Sequence, residues 1–113
     1  MEFLGPMASL RRPTRADREY FGGRTDFISQ PTGFDISPDG QEAVVLTYRS
    51  VYHFKRNKGE DWVSTLQRQP IEIVGPTAVQ NEGITWSVDG QSVFVTTEKI
   101  PSPVYRLQFN DEK

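Results

Sequence analysis

His53 is the sole histidine in a chain of 113 residues that contains no cysteine. Without cysteine there are no disulfides, no Cys-ligated zinc and no thiol nucleophile. His53 is then the one side chain whose ordinary titration falls near neutrality. As a general base it would need a nucleophile or a carboxylate within hydrogen-bond reach. No G-x-S-x-G elbow and no Ser/His/Asp arrangement accompanies it. Flanked by Tyr52 and Phe54, it reads as a structural or surface histidine. The reading is therefore a non-enzyme with no catalytic residue. Tyr48-Arg49 and Glu98-Lys99 recur at matched places and are the candidate partner-binding residues. The basic run Lys55-Arg56-Asn57-Lys58 is followed at once by Glu60 and Asp61, as in a solvated turn. Trp62 and Trp86 read as structural, packed residues.

The elements that must position these residues come from a repeat. Asp39-Gly40 recurs as Asp89-Gly90, an offset of 50. On that offset Gly33 meets Gly83, Phe34 meets Ile84, Ser37 meets Ser87, and Gln41 meets Gln91. Val51-Tyr52-His53-Phe54 matches Val104-Tyr105-Arg106-Leu107 at an offset of 53, and Pro101 and Pro103 account for the longer loop. Each unit reads as strand, turn, strand, loop, strand: Gly33–Ser37, Ala43–Thr47 and Val51–Lys55, then Gly83–Ser87, Val93–Thr97 and Val104–Phe109. The turns Ser37-Pro38-Asp39-Gly40 and Ser87-Val88-Asp89-Gly90 call for a positive φ at Gly40 and Gly90. Unit one gains a fourth strand at Ile71–Val74. Before it, Trp62 and Leu66 imply one or two helical turns with Asp61 as cap. Unit two ends without a fourth strand, and residues 18–30, with Tyr20, Phe21, Phe27 and Ile28, are the segment able to supply one.

Composition sets the outer limits. A net charge of −2, with 25% charged and 35% apolar residues, provides no field for nucleic acid or an anionic membrane. No apolar run is long enough for a transmembrane helix. The N-terminus places its apolar residues before its arginines, the reverse of a secretory signal, and the chain is read as cytoplasmic. Residues 1–17 are read as a flexible arm.

The element Asp35-Ile36-Ser37-Pro38-Asp39-Gly40 resembles the S-P-D-G turn of TolB-like and WD-repeat-like β-propellers. Ile84-Thr85-Trp86-Ser87-Val88-Asp89-Gly90 looks like the same element with Val88 in place of proline. The resemblance covers residues 32–110 and implies four-stranded blades around a central channel, typically about 4–8 to a ring. It implies an all-β fold of two antiparallel four-stranded blades, one over 32–75 and one over 77–110 completed by a strand from 18–30. The Trp-Asp dipeptide of WD repeats is absent.

Glu82-Gly83-Ile84 also resembles the opening of an inner strand in gluconolactonase-like propellers, where the glutamate reaches a divalent metal in the channel. That resemblance makes Glu82, with Asp35 and Asn81, the candidate ligands for calcium. Asp35 aligns with Thr85 and not with Glu82, so the ligand pattern is not repeated, and no metal or other cofactor is expected. Two blades leave two outer faces bare and cannot close a ring. The expectation is a self-associating, non-enzymatic building block and binding scaffold, a homotrimer of six blades. The alternatives are a metal-dependent lactonase-like enzyme and a scaffold fragment of a larger propeller.

Overall fold

A computed structural model describes residues 1–7, 10, 15, 30–74, 81–97 and 103–109. Its elements run β1 (Pro31–Ile36), β2 (Glu42–Thr47), β3 (Ser50–Lys55), α1 (Trp62–Gln67), β4 (Ile71–Val74), β5 (Asn81–Trp86), β6 (Ser92–Thr97) and β7 (Val104–Gln108). The fold is mostly β, with a four-stranded antiparallel sheet β1-β2-β3-β4 and a three-stranded antiparallel sheet β5-β6-β7. The strands match the expected segments, with ends displaced by a residue or two. No helix among the described residues is long and apolar enough to cross a membrane.

The repeat is built twice in atomic detail. Gly40 N donates to Ser37 O at 2.9 Å, and Gly90 N donates to Ser87 O at 3.0 Å. Ser37 Oγ donates to Asp39 Oδ1 at 2.6 Å, and Gln41 N donates to the same oxygen at 3.0 Å. Ser87, Asp89 and Gln91 repeat the arrangement. These bonds hold both aspartates below the ordinary carboxylate range, the serine hydroxyl contributing most. Gly40 and Gly90 each sit at φ 74°, the left-handed region the turn demands. Val88 replaces Pro38 without loss of the turn, because the serine and aspartate side chains already close it. Even the register shifts recur, between Pro31 and Gly33 in β1 and between Asn81 and Gly83 in β5.

The two sheets stack face to face. Val44, Leu46 and Val51 of the first sheet enclose a core with Trp86, Val93 and Val95 of the second. Gly33 permits close approach: a Cβ there would lie 3.1 Å from Ile84 Cγ2. Asp35 Oδ2 accepts the Trp86 backbone N–H at 2.8 Å, and Trp86 Nε1 donates to Asp35 O at 3.2 Å. Residues 36 and 86 are repeat equivalents, so the sheets meet front to back: the front of the second lies on the back of the first.

Two expectations need correction. The outer face of the first sheet is not bare. Ala43, Val45, Tyr52 and Phe54 form a second core, and Trp62, Leu66, Met7 and Leu10 pack against it. The insert folds over its own sheet because Asp61 caps α1, accepting Ser64 N at 2.7 Å, and because Arg68 grips Glu60 at 2.8 Å. Residues 1–17 are not wholly a free arm either: Met7 and Leu10 bury apolar surface, and Gln67 Nε2 donates to Pro6 O at 3.2 Å. The second sheet has three strands among the described residues. The expected strand from 18–30 lies outside them, apart from Gln30.

Candidate functional site

β2 and β3 are joined by the two residues Tyr48-Arg49, and this short loop sets the hairpin register. Thr47 Oγ1 accepts both Arg49 N at 3.2 Å and Ser50 N at 3.0 Å, which pins the loop. The register places Glu42 opposite Lys55 and Val44 opposite His53. Glu42 and His53 are then diagonal neighbours on one face of the sheet. Their side chains meet: His53 Nε2 lies 2.6 Å from Glu42 Oε1. An ionised carboxylate can only accept, so the imidazole carries its hydrogen on Nε2 when neutral.

This pair lines a cleft of about 420 Å³ at the turn end of the sheet stack, with Ile71, Ile73 and Phe109 as its apolar wall. His53 is 6% exposed. Its ring lies 4.4 Å from that of Phe109, which stacks in turn on Trp86 at 5.3 Å. Burial pushes the His53 pKa below its ordinary value; Glu42 opposes that shift and Lys55 adds to it. Among the described residues the cleft lining includes no serine or threonine, and the chain has no cysteine. Among those residues the acid–base pair therefore has no hydroxyl or thiol beside it in the cleft, and Asp39 and Lys55 are the other charged side chains there. The pair ties β2 to β3 within the first sheet, and the His53 ring packs against Phe109 and Trp86 of the second. The cleft beside it has the size and polarity to take a small polar group.

The sequence-predicted residues are distributed otherwise. Asp35 is engaged with Trp86, as above, and with Ile36 N at 3.0 Å. Glu82 is exposed at the start of β5, next to Asn81, the first residue of that strand. Among the described residues no three His, Asp or Glu side chains gather as a metal site. Tyr48 and Arg49 are half-buried in the β2–β3 loop, whereas Glu98 and Lys99 lie outside the described residues. Trp62 pins the insert to the first sheet, with the Arg56 guanidinium 5.5 Å above its ring. Trp86 is buried between the sheets. Glu42 was not among the sequence candidates. The signal that could have found it was the two-residue loop, which fixes the pairing before any coordinate is known.

Fold and site together define a mostly β protein made of two repeat-related antiparallel sheets with a histidine–carboxylate pair at their junction. No family profile, characterised protein or solved structure matches the chain.

Proposed function

We propose that the chain is a non-enzymatic pair of β-propeller blades that self-associates and serves as a binding scaffold. One observation carries the reading: the sheets stack front to back, so that residues one repeat apart touch, as in Trp86 N–H on Asp35. Successive blades of a propeller are related in this way, with inner strands β1 and β5 side by side. The cap formed by α1, Met7 and Leu10 covers Ala43, Val45, Tyr52 and Phe54 on the front of the first sheet but leaves Phe34 and Ile36 exposed. The back of the second sheet exposes Val104, and these two surfaces cannot meet within one chain. Three copies would give six blades. The half-buried Tyr48-Arg49 loop, at the end of the stack opposite the S-x-D-G turns, is the rim offered to a partner.

Molecular mass by light scattering is the test. A homo-oligomer at micromolar concentration, with a trimer the favoured mass, is the expected result. A monomer with a cooperative melt would refute self-association and leave the chain as a scaffold portion of a larger propeller.

A further inference from the structure

We infer that copies of this chain join head to tail, the Phe34 and Ile36 side of β1 in one copy seating on the row Gly83, Thr96, Val104 of the next. This rests on the building-block reading above and specifies the surfaces it uses. The interface inside the chain supplies the template. There, Ile84 and Trp86 of β5 project onto the back of the first sheet. The receiving row is Gly33 paired with Leu46, and Leu46 paired with Val51. Its glycine is what lets Ile84 approach.

Part of each half of that interface recurs among the described residues at the two ends of the stack; the equivalents of Val93 and Val95, Ala43 and Val45, lie buried under the cap. Phe34 and Ile36 are the repeat equivalents of Ile84 and Trp86, yet they are 50% and 37% exposed. The cap of Trp62, Leu66, Met7 and Leu10 covers Ala43, Val45, Tyr52 and Phe54 and does not include the β1 pair. On the second sheet, Gly83 pairs with Thr96, and Thr96 pairs with Val104, repeating the receiving row one unit later. Glycine again holds the inner position, here with Thr96 Oγ1 beside it, 2.5 Å from where a Cβ would stand, and Val104 is 65% exposed. A projecting apolar pair and a glycine-floored row therefore face outward from opposite sides of one molecule. Each matches part of the other half of an interface already formed within the chain, with Thr96 standing where the template row has Leu46. Because the patches differ, their contact is heterologous, and successive copies close a ring or extend a filament.

The test is sedimentation velocity on the full chain, on Phe34→Glu, on Val104→Glu, and on an equimolar mixture of the two variants. Both substituted side chains are at least half exposed, so far-ultraviolet circular dichroism and melting should match the parent. Ile36→Lys replaces Phe34→Glu if the latter melts early, and Val104→Lys serves likewise for Val104→Glu. The parent should associate, each variant alone should associate at least tenfold more weakly, and the mixture should stop at a heterodimer. That dimer forms because one intact patch of each kind remains. A mixture no larger than either variant alone overturns head-to-tail joining. A parent that associates with no sensitivity to either substitution overturns this choice of surfaces while leaving the building-block reading in place. A monomeric parent overturns both.

Discussion

Replacing Asp35 by alanine removes the acceptor that ties the second sheet to the first. The bond from Trp86 N is 2.8 Å and its acceptor is a carboxylate, which places it among the stronger protein hydrogen bonds. Deleting such an acceptor leaves a partly buried backbone N–H unsatisfied, at a cost of roughly 1–3 kcal/mol. Asp35 is half-buried, so water can reach part of the vacated space and the lower part of that range applies. A loss of about 1–2 kcal/mol is expected, equivalent to a fall of roughly 5–10 °C in Tm for a domain of this size. Asp35→Asn retains an acceptor oxygen without charge and should lose less than about 1 kcal/mol. Thr85→Val is the control. Its hydroxyl reaches Asp35 at 3.4 Å, long for a hydroxyl bond, and its removal should cost no more than about 0.5 kcal/mol. Urea denaturation followed by Trp86 and Trp62 fluorescence reads all three. An Asp35→Ala midpoint equal to that of the parent would show that the carboxylate bond adds nothing to the Trp86 Nε1 bond on Asp35 O and the apolar core, and would refute the reasoning.

Gly40→Val and Gly90→Val should each destabilise by roughly 1–3 kcal/mol in chemical denaturation, since a β-branched residue is strained at φ 74°. Equal midpoints for parent and variants would contradict that. For His53, burial lowers the folded pKa below the ordinary 6.5, so in that window the unfolded chain binds more protons. Stability should hold above about pH 6.5, fall as pH drops towards the folded value, and level off below it. Urea midpoints between pH 7.5 and 5 test this, with His53→Gln expected to flatten the profile; a midpoint that rises on acidification would mean that the Glu42 ion pair outweighs burial. Removing the cap with Trp62→Ala should expose Tyr52 and Phe54 and lower stability by about 2–3 kcal/mol, since the indole is half-buried. Unchanged dye binding and Tm in that variant would show that Met7, Leu10 and Leu66 suffice.

Local chemistry was legible in the residues themselves. Ser-x-Asp-Gly closes its turn through bonds spanning a few residues, so its conformation needs no tertiary partner, and the positive φ at Gly40 and Gly90 follows from composition alone. The strand pattern and the 50-residue repeat were equally local, as was α1, which is started by Asp61 and anchored by Trp62. Three matters depended on how distant segments meet. The Glu42–His53 pair exists because a two-residue loop sets a register that brings residues 11 apart together. The bond from Trp86 to Asp35 spans 51 residues and depends on which faces of the sheets stack. The covering of the first sheet by α1, Met7 and Leu10 reversed the expectation of a bare face. Apolar burial is non-directional: a sequence marks Ala43, Val45, Tyr52 and Phe54 as residues to be covered but does not say by what. Only the packed structure selects the nearby insert and N-terminal residues for that face and leaves Phe34 and Ile36 beside it exposed.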